Sequence, residues 1–257
     1  MPLSAVAMFL KVLACEIAAR ELYHLAARSK NLIDLELLTQ GYHDTPGVGR
    51  AEIQKRIDAA PAGKYDALIL GYGLCSNILL GLTTAHTPLV IPRAHDCITF
   101  FLGSKERYQQ CFAERPGTYY YTSGWLEFAR RRGAKGPVWG GASLPASANF
   151  GIQGTYDQWV QKYGEDQAKY LMEEMSRWMA NYSHGALIDF EFVRHLNLRE
   201  QVQQICAQRG WQYAEIPGDL ALLQKLVEGQ WDQAAVLVVK PGQKVVATFD
   251  EKVIGAA

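Results

Sequence analysis

The feature that most constrains this chain is its regular alternation of short apolar runs with stretches of helical period. Phe9 to Ala14 is an apolar run, followed by Glu16 to Ser29, in which Ile17, Leu22, Leu25 and Ala26 fall near helical spacing. Leu32 to Leu38 alternates as a second strand, Gly49 to Ala59 is a helix with Ile53 and Ile57 on one face, and Tyr65 to Gly71 is a buried strand. Strands alternating with helices imply a parallel sheet covered on both faces, because parallel neighbours need a crossover between them. A short helix from Ser76, a strand Pro88 to Ile91, a helix near Cys97 to Phe112 and a strand Thr118 to Tyr121 after the Pro116-Gly117 turn continue the order.

Gly133 to Gly154 is rich in Gly, Pro, Ala and Ser, and Tyr156 to Tyr182 follows as a long helix with Gly164 as its break point. The opening order then repeats: strand Leu187 to Val193, helix Arg199 to Arg209, strand Gln212 to Ile216, helix Leu220 to Glu228, strand Ala235 to Val239. The expected architecture is α/β, with two Rossmann-like parallel-sheet halves and strand-end cysteines facing a cleft. Residues 1–132 form the half carrying the cysteines, 133–182 the Gly-rich loop and bridging helix, and 183–257 the second half. Gly63 to Gly73 and Gly229 to Gly242 both begin Gly-x-aromatic-Asp, run into an apolar strand and reach a glycine turn, which is either an internal duplication or the ordinary likeness of two βαβ units.

Composition excludes several classes. With 26 basic and 26 acidic residues the 257-residue chain is formally neutral, so bulk charge offers nothing to nucleic acid. Its apolar runs fall far short of the roughly 20 residues that span a bilayer. Met1 to Leu13 has no basic leader, and five cysteines are an odd number for a disulfide framework, so the expectation is a cytoplasmic protein with thiols or metal ligands.

Three of those cysteines end strands. Cys15 closes the first, Cys75 lies in the turn Gly71-Tyr72-Gly73-Leu74-Cys75, and Cys97 follows the fourth strand in Pro92-Arg93-Ala94-His95-Asp96-Cys97. In a parallel sheet all three reach the same edge, where open α/β sheets bind ligands. Three thiolates with a fourth position open suit a catalytic zinc or a [4Fe-4S] cluster with one exposed iron, whereas buried cysteines without CxxC spacing are also common packing residues. His95 is a further candidate donor, and Asp96 is a ligand, an orienting group or a helix cap. Glu16 is either a general acid–base or a first-turn carboxylate complementing the helix dipole. Arg93 either holds an anionic substrate or makes a structural ion pair. Tyr72 and Gly73, beside Cys75, and Ser123 and Trp125, at the end of an aromatic strand, are candidate substrate contacts; for the last two a plain packed strand explains as much. Cys111 and Cys206 sit inside amphipathic helix patterns and are assigned to the core, and His24 and His43 lack ligand spacing. No nicotinamide, P-loop, hydrolase-elbow or HExxH motif is present.

At these residues the chain resembles a bacterial and archaeal family, domain of unknown function 1638. The resemblance rests on Ala14-Cys15-Glu16, Tyr65-Asp66, Gly71 to Cys75, Pro92-Arg93 with His95-Asp96-Cys97, Gly103-Ser104, Pro116 to Tyr120 with Gly124-Trp125, Gly229 to Asp232 and Pro241-Gly242. The family often has a proline before Pro241-Gly242, where this chain has Lys240. Members tend to lie beside corrinoid-dependent methyltransferase systems, so the resemblance implies methyl or one-carbon transfer on a small-molecule substrate, with a corrinoid protein as partner. The donor types are also similar to those of zinc-dependent thiol methyltransferases. The alternatives are an iron–sulfur lyase, dehydratase or redox enzyme, and a metal or cofactor carrier.

Overall fold

A computed structural model of the chain describes residues 7–43, 45–131, 159–161, 163–179, 181–248 and 250–257. It is α/β, and it divides into two units, one of residues up to Lys105 together with Asp219–Ala257, the other Glu106–Gly218.

The first unit is built on five strands, β1 (Phe9–Cys15), β2 (Leu32–Leu38), β3 (Ala67–Gly71), β4 (Leu89–Pro92) and β8 (Val236–Val239), in the order β2-β1-β3-β4-β8. The first four are parallel, and β8 runs antiparallel along β4. Every residue of β3 and β4 is buried, which is why these strands read as unbroken apolar runs. On one face Leu13, Leu68, Leu70, Leu89, Ile91, Leu237 and Val239 share a core with Ile53 and Ile57 of α2 (Pro46–Asp58). Helix α8 (Ala221–Glu228) packs against β3, β4 and α1 (Ala19–Ala26). Gly71 lets β1 and β3 close up, since a Cβ there would stand 2.6 Å from that of Ala14. The chain ends in an antiparallel hairpin, β9 (Val245–Ala247) and β10 (Ile254–Ala256).

The second unit holds three parallel strands in chain order, β5 (Thr118–Tyr121), β6 (His184–Asp189) and β7 (Gln212–Pro217). Helix α7 (Leu198–Arg209) is the crossover between the last two and packs on both.

This arrangement redraws the expected halves. β5 leaves the amino-terminal part to head the second sheet, and residues 219–257 return to the first. The strand Ala235 to Val239 was expected in a second half; its four-residue core, Val-Leu-Val-Val, fits either strand direction, and it fills the edge that β4 leaves open. β3 and β8 therefore lie in one sheet with opposite directions, so Gly63–Gly73 and Gly229–Gly242 do not hold equivalent places in two separate sheets. The expected helix Cys97 to Phe112 is two helices, α3 (Ile98–Leu102) and α4 (Lys105–Glu114), parted at Gly103 with φ +83°. The strand expected over Leu187 to Val193 begins earlier and gives way to a 3-10 turn at Glu191–Leu196. Gly164, at φ +87°, breaks the long helix, which resumes as α6 (Glu165–Met179); Gly133 to Gly154 lies outside the described residues. Among the described residues no helix is long and apolar enough to cross a membrane.

Candidate functional site

Because β1, β3 and β4 are parallel, Cys15 and the turns after β3 and β4 meet at one edge of the first sheet. The chain steps from β1 to β2 on one side and then crosses to β3 on the other, and such a reversal is where open α/β sheets admit ligands. The two turns run side by side: Leu74 N–H donates to Ala94 O at 2.8 Å and Cys75 N–H to His95 O at 3.0 Å. Gly73 is what permits this, since a Cβ there would lie 2.7 Å from the Asp96 backbone.

The turn after β3 is strained. Cys75, Ser76 and Asn77 have φ of +23°, +51° and +63°, a left-handed run whose last two residues fall where a short helix from Ser76 was expected. Each such residue costs roughly 1–2 kcal/mol unless its surroundings hold it. Arg50 Nη2, on α2, donates to Asn77 O at 2.9 Å, and Ile78 N–H closes on Leu74 O and Cys75 O at 3.1 Å.

The left-handed turn sets the Cys75 sulfur against two donors. The Cys97 thiol hydrogen-bonds to it and the His43 imidazole donates to it, and together they outweigh desolvation and bring its pKa down to about 6. Cys97 is the other half of the same interaction: its proton is kept for Cys75, and burial adds to this, so its pKa lies well above the ordinary thiol range. The charge of Cys15 reaches both Cys97 and Tyr72. Tyr72 is held protonated by burial first, then by Cys15 and its neighbours, and among the described residues its hydroxyl has no hydrogen-bond partner.

His43 ends a 3-10 turn, Gln40–His43, that follows β2. Glu16 fastens that turn, its Oε1 accepting Gln40 N–H at 2.9 Å and the Thr39 hydroxyl at 3.2 Å. Tyr42 from the same turn packs, with Cys15 and Cys75, against the core on the α2 face.

The family described as protein of unknown function (DUF1638) matches residues 37–227. The chain belongs to that family. No curated protein and no solved structure matches it. The stretch matched by DUF1638 contains His43, Tyr72, Cys75 and Cys97, while Cys15 and Glu16 precede it.

Of the residues singled out in the sequence, Cys15, Tyr72, Gly73, Cys75 and Cys97 come together. Glu16 reaches the site through the His43 turn. His95 is exposed and meets Cys75 through its carbonyl; the imidazole at Cys75 is that of His43. The strand-end reasoning that selected the cysteines applies equally to the loop after β2, and would have selected His43. Asp96 caps α3, its Oδ1 accepting Ile98 N–H at 3.0 Å. The Arg93 guanidinium, almost fully buried, donates to the carbonyls of Gln233, Lys252 and Ile254 and so pins the terminal hairpin beside β4. Ser123 and Trp125 are buried at the start of α5 (Ser123–Arg131), in the second unit. Cys206 is in the core as expected, whereas Cys111 is only half-buried on a helix with no buried residue.

Three soft sulfurs and an imidazole are the donor types of a zinc or iron–sulfur site. Their arrangement is that of a hydrogen-bonded set: among the described residues no group of three or more His, Cys, Asp or Glu is disposed to hold a metal ion.

Proposed function

We propose that the protein is an enzyme of methyl or one-carbon transfer, linked to corrinoid metabolism, whose reacting group is the Cys75 thiolate at a cleft on the first sheet edge. The observation that carries this reading is the placing of Cys75 against two hydrogen-bond donors, Cys97 and His43, in a left-handed turn, which favours its thiolate. Strain and depressed pKa values gather at functional sites, and a thiolate is the sulfur species that accepts a methyl group. Cys97 stabilises the charge by donating its proton, and His43 stabilises it from the other side. Glu16 positions His43, and the buried Tyr72 hydroxyl supplies a hydrogen bond to a small acceptor entering beside Cys15.

A soft metal belongs to the same proposal as a cofactor: zinc, or the open iron of a [4Fe-4S] cluster, taken by Cys15, Cys75 and Cys97. When bound it would supply a polarised thiolate or an open coordination position. The donor chemistry supports it; the hydrogen-bonded arrangement does not. Elemental analysis and an absorption spectrum of anaerobically purified protein test the cofactor, with Cys15→Ser, Cys75→Ser and Cys97→Ser against Cys111→Ser and Cys206→Ser. The expected result is metal lost together in the first three and kept in the last two; equal retention in all five sinks the metal centre. Transfer itself is tested by methylation of the protein with a methyl-corrinoid, the adduct being expected on Cys75 and absent in Cys75→Ser.

A further inference from the structure

We propose that Cys75 and Cys97 are a dithiol pair that exchanges with low-molecular-weight disulfides and closes a reversible disulfide bond between themselves. This goes beyond the methyl-transfer reading and needs no metal. Their side chains are already hydrogen-bonded to one another. They sit on two turns whose backbones touch, through Cys75 N–H to His95 O at 3.0 Å and through Gly73 against Asp96. Bridging requires Cα atoms roughly 4.4–6.8 Å apart, and the paired turns put the two cysteines on adjoining backbone.

The two residues are also unequally exposed. As whole residues Cys75 is half-buried and Cys97 is 6% exposed, so a reagent approaching this edge meets the Cys75 turn first. That is the division of labour of an attacking and a resolving thiol. The other cysteines are placed differently: Cys15 ends β1 in register with Leu38, and Cys111 and Cys206 belong to the other unit.

The chemistry balances with a small disulfide as oxidant. The Cys75 thiolate attacks one sulfur of RSSR, the S–S bond breaks, and RS⁻ leaves with the electron pair, giving Cys75–S–SR. The Cys97 thiol passes its proton to that RS⁻ and its sulfur attacks Sγ of Cys75, expelling the second RS⁻. One thiolate, one thiol and RSSR become one protein disulfide, RSH and RS⁻; the protein is oxidised by two electrons and the small disulfide reduced by two. Oxidation removes two of the three sulfurs that the proposed metal centre would use, so metal loading and oxidation exclude one another.

The test is incubation of the full chain with glutathione disulfide, as purified and after chelation, followed by alkylation and peptide mapping. We expect one link per chain, Cys75 to Cys97, reversed by dithiothreitol. In Cys97→Ala a glutathione adduct should remain on Cys75, and Cys75→Ala should carry none on Cys97. A wild-type chain that forms no internal link after chelation, or links Cys15 in place of Cys97, overturns the proposal without reference to how the variants fold. Metal content read on the same samples separates the two ideas: a Cys75–Cys97 link in a protein that never holds metal rejects the metal centre alone, and a metal-loaded protein that forms no link after chelation rejects the exchange alone.

Discussion

At the carboxyl edge of the first sheet, β1, β3 and β4 run out into Cys15, the Tyr72–Cys75 turn and the Arg93–Cys97 turn, and the side chains there act on one another's protons. At the corresponding edge of the second sheet, β5 runs into the buried Thr122 and Ser123, β6 ends in Asp189 paired with Arg194 at 2.9 Å, and β7 ends in Pro217, whose carbonyl accepts a hydrogen bond from Arg107. A single residue type records the difference. Cys75 is driven below the ordinary thiol pKa by two hydrogen-bond donors, and Cys206, beside Gly185 of β6, is driven above it by burial. Parallel strands supply an edge in both sheets. The lowered thiol lies at the edge where two turns come into backbone contact, as Gly73 allows.

The largest effect should come from the second unit and leave the thiols untouched. Trp125→Ala empties a site that is 2% exposed and should lower unfolding free energy by about 4 kcal/mol, read as a drop in denaturant midpoint. The Cys75 alkylation profile of the folded variant should not move; if it does, the two edges are not independent. Gly73→Ala should be next, costing about 3 kcal/mol as a Cβ 2.7 Å from the Asp96 backbone pries the turns apart. It should also raise the Cys75 midpoint, and a variant with wild-type thiol behaviour would break the link between turn contact and reactivity.

Alkylation by iodoacetamide sharpens the comparison further. Only the thiolate reacts, so the wild-type rate should rise with pH and level off above a midpoint at about 6. Cys97→Ala removes the leading donor and should move that midpoint up, slowing reaction at pH 6 by about fivefold if the rise is about one pKa unit. His43→Ala should shift it in the same direction by less, because its hydrogen bond ranks below that of Cys97. A midpoint unchanged in both variants would remove the physical basis for a reactive Cys75. Smallest of all, Cys111→Ser, on a half-buried helix surface, should leave stability within about 0.5 kcal/mol and the Cys75 profile unchanged.

The periodicity of the first 105 residues was enough to read four of the five strands of the first sheet, and their parallel direction followed from the intervening helices. From that alone Cys15, Cys75 and Cys97 were brought to one edge, because a strand's carboxyl end is a local property once its direction is known. Pairing between distant segments carries no such local mark. The antiparallel return of β8 to β4, the transfer of β5 to another sheet and the use of Arg93 to pin the last hairpin are settled by which edges and carbonyls remain open when the rest has folded. His43 belongs with these: no spacing links it to Cys75, and it arrives there because Glu16 ties down the turn after β2. Three left-handed residues in a row, running from the turn at Cys75 into the short helix expected from Ser76, show the same limit, since hydrogen bonds from α2 and the β4 turn hold that backbone.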